Sequence, residues 1–223
     1  MEELLTTAFK AAIRDYSLLI EKEYPQKAVL KLIGDRYALN STQRIILYRG
    51  IVKKELAAQR RRKAVKKIKN SDIYVDCYNV LFTIANYLYG RILYISRDGF
   101  LRDAGEIHGK KHNEKILAKS IELLLEYAKK HAIKSFSFFI DSPVAFSGEL
   151  KAELNKRLMN EGLPGEALVV KSPDFRLKNL PTGIIATSDS IIIDNAQVRI
   201  CDIARMVLQR KYKTDFVELK RFL

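Results

Sequence analysis

The stretch SDIYVDCYNVLFTI, residues 71–84, decides the fold. It is rich in β-branched and aromatic side chains, and its apolar opening ends at a single carboxylate, Asp76. The same arrangement recurs downstream. SFSFFID (135–141) reads as a strand ending at Asp141, EALVVKSPD (166–174) as one ending near Asp174, and GIIATSDSIIID (183–194) as one around Thr187 to Asp194. LYISRDGF (93–100) is a shorter β-like run broken by the turn pair Asp98-Gly99, and DFVELK (215–220) reads as a closing strand.

Helical periodicity fills the gaps. Ile116, Leu117, Ile121, Leu124, Leu125 and Ala128 mark a long helix from about Glu114 to His131. Leu150, Leu154 and Leu158 mark a second, and Ile200, Cys201, Ile203, Ala204, Val207 and Leu208 a last one. Strands alternating with helices predict an α/β domain over residues 70–223, built on a mainly parallel, Rossmann-like sheet with helices on both faces.

Residues 1–69 read differently, as a small all-α basic domain with an arm. One apolar stripe runs from Leu4 to Ile20, a second helix opens at Pro25 and stops near Gly34, and Asn40 with Gln43 has the spacing of a capping box that starts a third. That third helix is expected to run on through KKELAAQRRRKAVKKIKN (53–70). The net charge of +14 is concentrated here, with 17 Lys/Arg against 7 Asp/Glu in residues 1–69 and 23 against 19 in the rest. The stretch from Lys53 to Lys69 has nine basic residues and one acidic one, Glu55. Such density fits a polyanion partner, because each neutralised phosphate releases counterions. RNA is the expected partner, with Arg60, Arg61, Arg62, Lys63, Lys66 and Lys67 as the contact set. The other readings are a solvated linking helix and the Lys/Glu-rich surface of a thermophile-like protein.

Composition narrows the field further. With 223 residues and 48% hydrophobic content the chain can bury a sizeable core. No apolar run approaches the roughly 18 residues a membrane span needs, and the amphipathic start is not a signal peptide, so a cytoplasmic protein without a membrane partner is expected. Two cysteines outside any CxxC pair, Cys77 and Cys201, read as buried core residues. His108 and His112 are four apart but lack the HExxH glutamate of a zinc site. No GxGxxG or GxxxxGK[ST] loop occurs. A homo-oligomer stays open.

In a parallel sheet the carboxyl ends of the strands meet at one crevice, which would gather Asp76, Asp141, Asp174 and Asp189 from distant parts of the chain. Clustered carboxylates repel each other, and a hard divalent ion, Mg²⁺ or Mn²⁺, removes that cost. Such an ion activates water and stabilises charge on a phosphoryl oxygen, which is the chemistry of phosphodiester hydrolysis. All four are expected metal ligands, and Asp76, Asp141 and Asp189 the catalytic residues. Asn79, Asp98, Asp103 and Asp194 are secondary candidates. Asp194 reads most easily as a cap before the last helix, and the Arg97–His108 run as either site lining or a salt-linked surface turn.

VDCYNVL, with Asp76 and Asn79, resembles the opening strand motif of PIN/NYN-type ribonuclease domains. FFID at Asp141 is similar to their central strand, and ATSD at Asp189 to their Thr-Ser-Asp motif. The resemblance covers about residues 72–195 and implies Mg²⁺- or Mn²⁺-dependent RNA cleavage at those aspartates. Cys77 stands where that family has glycine, and no acidic residue follows early in the first helix. Nearly the whole chain also resembles an uncharacterised archaeal and bacterial family that joins a helical region to this domain. YPQKAVLKLIGDRYALNSTQRIILYRG, RDGFLRDAGEIHG and DSPVAFSGEL carry that likeness. The expected function is metal-dependent RNA hydrolysis. The alternatives are a catalytically inactive RNA- or ribosome-associated protein of the same fold, and a phosphotransfer enzyme with a nucleophilic aspartate.

Overall fold

Ile73 and Val75 have no solvent exposure, whereas Asp72 and Tyr74, which alternate with them, are only partly covered, so this run alternates as a strand should. A computed structural model, which describes residues 4–105, 113–144 and 146–223, makes it β1 (Asp72–Asp76). By contacts the chain falls into two units. One gathers the chain up to Arg62, a stretch starting at Asn86, and Asp215–Leu223; the other begins with Lys63–Ala85 and takes up most of the remainder as far as Thr214. The chain therefore first crosses between units at Arg62 to Lys63, a few residues before the boundary expected at residue 70, and then crosses again.

The second unit is α/β. Its parallel sheet has the order β5-β4-β1-β6-β7, with β4 Ser135–Asp141, β5 Gly165–Val170, β6 Ile184–Ala186 and β7 Arg199–Cys201. Val75 lies between Phe138 and Ala186, which makes β1 the central strand. Gly165 opens β5 at φ 150°, where a Cβ would lie 2.0 Å from the Phe136 carbonyl oxygen. Only glycine lets the two backbones approach so closely. Helix α5 (Cys77–Leu88, through Ala85 in this unit) follows β1 directly, α6 (Glu114–Lys130) leads to β4, and α7 (Ser147–Asn160) packs on β4 and β5. Two short helices, α8 (Pro173–Lys178) and α9 (Ser190–Asn195), follow β5 and β6, and α10 (Ile203–Tyr212) follows β7.

Three expected elements differ in this unit. The strand expected to end near Asp174 stops at Val170, and Asp174 falls in the first turn of α8. The strand expected around Thr187–Asp194 is three residues, Ile184–Ala186, and the Ile191-Ile192-Ile193 run after it is helical. β-branched propensity loses there because Asp189 caps the first turn, accepting from Ile191 N (2.7 Å) and Ile192 N (3.2 Å). Ile200 and Cys201, expected in the last helix, form β7 against β6, and Asp202 then caps α10 by accepting from Arg205 N (3.2 Å). Both cysteines are buried and free, as expected.

The first unit holds α1 (Thr7–Glu21), α2 (Gln26–Arg36), α3 (Ser41–Gly50), α4 (Lys54–Lys63, through Arg62), the antiparallel pair β2 (Leu93–Ile95) and β3 (Leu101–Asp103), and a closing 3-10 turn, Leu219–Phe222. The capping box is present in full, Gln43 N to Asn40 Oδ1 (2.9 Å) and Asn40 N to Gln43 Oε1 (3.2 Å). α2 runs past Gly34, whose missing Cβ leaves room for the Arg44 guanidinium. The third helix does not continue through the basic run; it stops at Gly50 and α4 starts anew. DFVELK contributes one bridge, Ile95 to Glu218, rather than a strand. No described helix is long and apolar enough to cross a membrane. His108 and His112 lie outside the described residues.

The core of this unit contains Phe9, Ile13, Tyr16, Ile46, Leu47, Tyr94 and Leu219. The Tyr16 and Tyr94 hydroxyls are buried and have no hydrogen-bond partner among the described residues. Gln26, beside Tyr16, donates one of its two amide protons to the Tyr48 carbonyl (2.8 Å). Burial pushes the Tyr16 phenol up to about 12. An unpaired buried hydroxyl costs about 1–3 kcal/mol. Tyr16→Phe and Tyr94→Phe are therefore expected to raise the melting temperature by a few degrees each; a clear fall in a thermal melt would mean that the hydroxyls are paired.

Candidate functional site

All five strands of the sheet run the same way, so their carboxyl ends share one edge. From β1 the strands proceed to β4 and β5 on one side and to β6 and β7 on the other, so the order reverses between β1 and β6. Ligands in open parallel sheets bind at that kind of reversal. At this place sit Asp76, which ends β1, Asn79 in the first turn of α5, and Thr187, Ser188 and Asp189, which leave β6.

These residues form one network across more than a hundred positions of sequence. The Thr187 hydroxyl donates to Asp76 Oδ2 (2.8 Å), and its oxygen accepts from Asp189 N (3.0 Å). It also lies 3.3 Å from Asn79 Oδ1, but its single proton goes to the shorter, charge-assisted contact. Asn79 Oδ1 accepts from Ser188 N (2.8 Å) and Ser188 Oγ (3.1 Å). The β1–α5 corner and the β6–α9 corner are thereby joined.

The electrostatics of this corner are unfavourable as it stands. Asp76 is nearly buried, and burial first, then the charges of Asp189 and Asp174, push its carboxyl from 3.8 up to about 7, against the Thr187 hydrogen bond. Asp174, in the first turn of α8, is also raised, by partial burial and by the charges of Asp189 and Asp141. The four expected carboxylates thus share one electrostatic neighbourhood. They do not close on a point: among the described residues no three His, Cys, Asp or Glu side chains form a group that could hold a metal ion.

The secondary candidates fare differently. Asn79 belongs to the network. Asp194 lies in the last turn of α9 instead of capping the last helix, and its carbonyl, with those of Ile193 and Ala196, accepts from Lys63 Nζ at 2.7–2.9 Å. Asp98 and Asp103 lie in the first unit. Asp98 is 1% exposed and bound to Arg60 (2.8 Å) and Arg102 (2.9 Å), so this is a buried ion network rather than a surface turn. Asp103 pairs with Arg49 at 3.4 Å and accepts from Gly105 N.

The basic set divides as well. Arg60 is buried on Asp98, Arg61 donates to the Arg97 carbonyl (2.6 Å), and Lys63 caps the end of α9. Those three hold the fold, which is why their density on α4 does not repel the helix apart. Arg62, Lys66 and Lys67 are exposed.

Comparison with known proteins now places the chain. Residues 65–206 match the family model described as "Domain of unknown function (DUF5616)", and residues 8–63 match DUF434, "Protein of unknown function". The chain belongs to the DUF5616 family. It is 30% identical over 194 residues to the uncharacterised protein MJ0935 of Methanocaldococcus jannaschii, an alignment that covers 86% of this chain and 92% of that one. No solved structure matches it.

The whole Asp76–Asn79–Thr187–Ser188–Asp189 network lies within the DUF5616 match. Sequence reading named its carboxylates and Asn79 as site residues, whereas Thr187 and Ser188 entered only as part of the Thr-Ser-Asp resemblance, without a role of their own. Lys63 as the cap of α9 had no sequence signal, since its partner carbonyls are about 130 positions away.

Proposed function

We propose that the α/β unit is a PIN/NYN-like ribonuclease domain that hydrolyses RNA phosphodiesters with Mg²⁺ or Mn²⁺. The observation that carries this reading is the buried Asp76 carboxyl at the sheet reversal, pushed up to about 7 by burial and by its acidic neighbours. The donor set is hard oxygen throughout, with no thiolate or imidazole in the network, and a divalent ion would relieve its repulsion. Asp76, Asp141, Asp174 and Asp189 are the residues that would hold it. Mg²⁺ commonly binds through one or two carboxylates and keeps its waters, which suits carboxylates that do not close on a single point.

Such an ion supplies an activated water and stabilises charge on a phosphoryl oxygen. Thr187 fixes the orientation of Asp76 through its hydroxyl. Asn79 holds the Ser188 backbone, and with it the start of α9, where Asp189 stands. The exposed Arg62, Lys66 and Lys67 would attract phosphate with a strong dependence on salt.

A second reading, RNA binding without catalysis, is favoured by two contacts. Asp189 spends an oxygen on its own helix cap, and Asp76 is tied to Thr187. The two separate cleanly. With single-stranded oligoribonucleotides and millimolar Mn²⁺ or Mg²⁺, cleavage is expected, and Asp76→Asn and Asp189→Asn are expected to reduce it by about a hundred-fold or more. Absence of cleavage and of metal binding, with salt-sensitive RNA affinity that survives both substitutions, would replace the first reading by the second.

A further inference from the structure

Among the described residues of the α/β unit, six large apolar side chains are exposed: Val144, Phe146, Met159, Phe175, Ile191 and Tyr212. Met159 and Tyr212 sit at the far ends of α7 and α10, helices that start at the carboxyl edge of the sheet and run away from it. The other four stand at the carboxyl edge itself. Each follows one of the carboxylates within five residues: Val144 and Phe146 follow Asp141, Phe175 follows Asp174, and Ile191 follows Asp189. An acid followed by an exposed apolar side chain recurs at three strand-to-helix corners of one edge, which is the kind of surface that binding partners use.

Phe175 is the best defined of the four. It is 61% exposed, yet its backbone is held on both sides: Phe175 N donates to Ser172 Oγ (3.2 Å), and its carbonyl accepts from Asn179 Nδ2 (2.7 Å). The ring is therefore presented from a fixed main chain. One cation lies over it and two more are close in sequence. The Lys178 ammonium lies 5.8 Å from the ring centroid, and Arg176 and Lys171 are exposed on the same short segment. An aromatic ring with cations beside it, one residue from an acidic cluster, matches a nucleotide: base to ring, phosphate to ammonium.

We infer that Phe175 is a stacking platform for an unpaired base of a single-stranded nucleic acid, with Lys171, Arg176 and Lys178 taking the adjoining phosphates. This rests on the ribonuclease reading and adds the subsite to it. A base inside a duplex has its faces covered by its neighbours, so the platform selects unstacked strands. Val144, Phe146 and Ile191 extend the apolar rim over which further bases pass.

The chain has no tryptophan, which gives a direct test. Phe175→Trp places a single, selectively excited tryptophan on the platform, and Met159→Trp, in a separate variant, places one at the opposite edge. A single-stranded oligoribonucleotide is expected to quench the first and leave the second unchanged. The same oligomer as a duplex, or with abasic sites that keep every phosphate, is expected to leave both unchanged. Phe175→Ala is expected to raise KM or Kd by about five- to fifty-fold, with kcat kept and the loss restored by Phe175→Tyr.

If the unaltered chain binds or cleaves the oligomer while Phe175→Trp is not quenched and Phe175→Ala binds as well as before, the platform is wrong and the ribonuclease reading stands. Equal quenching at both positions also overturns it, as does equal quenching by the abasic strand. An unaltered chain that binds no oligoribonucleotide overturns both.

Discussion

Asp98→Ala is expected to cost about 3–5 kcal/mol of stability, because it leaves two buried guanidinium groups without their shared counter-charge. Asp98 Oδ2 accepts from Arg60 Nη1 and Arg102 Nη2, side chains that are 6% and 5% exposed. Its other oxygen accepts from the Ser96 hydroxyl and from Phe100 N. Burial pushes this carboxyl up, but Arg102, Ser96 and Arg60 together outweigh it and hold the group below the usual carboxylate range. A carboxylate depressed in this way stabilises fully above its unfolded value of about 4, and that stability is lost as pH falls below it. Urea melts should show the large loss at pH 7 and little difference between the variant and the parent in strong acid. Replacing Arg60 and Arg102 by methionine together with Asp98→Ala should recover part of the loss, since no charge is then stranded. A variant Asp98→Ala within about 1 kcal/mol of the parent at pH 7 would mean that the two arginines find water instead.

Asp76→Asn is expected to act in the opposite direction. The Asp76 carboxyl is raised, so the folded chain keeps a proton that the unfolded chain gives up near pH 4. Stability then falls as pH rises from about 4 to about 7, and the full penalty persists above 7. The gap between 3.8 and about 7 corresponds to about 4 kcal/mol. The amide carries no charge and can still accept from Thr187, so the metal-free variant should melt roughly 10 °C above the parent at pH 8, with the gap closing near pH 4. Millimolar Mg²⁺ or Mn²⁺ should raise the parent toward the variant at pH 8 and leave the variant unmoved. A gap independent of pH would show that Asp76 is ionised without cost.

The sheet was legible where a strand was both apolar and followed by a carboxylate. Asp76 and Asp141 end β1 and β4, as their sequences suggest. Legibility failed where a local cap overrode propensity. The Ile191–Ile193 run has the composition of a strand, but Asp189 accepts two backbone protons and winds it into α9. Ile200 and Cys201 fit a helical stripe equally well, and only pairing with β6 makes them a strand. Charge misled in the same way at Arg60: residues 53–69 look like a solvated arm, and nothing nearby reveals that Asp98, 38 positions on, takes the guanidinium into the interior. At the candidate site the acids could be named one by one. Their coupling depends on a strand order that no local pattern encodes.

The first unit is assembled from three separate lengths of chain. Arg60 falls in the region matched by DUF434, and its counter-ion Asp98 in the region matched by DUF5616. A fragment ending near residue 69 would thus lack Asp98, Tyr94 and Leu219 and would part Arg60 from the Asp98 carboxylate. The two regions are not interchangeable modules. Recombination that replaced one and kept the other would leave a hollow, charged interior, so here they must be inherited as a pair.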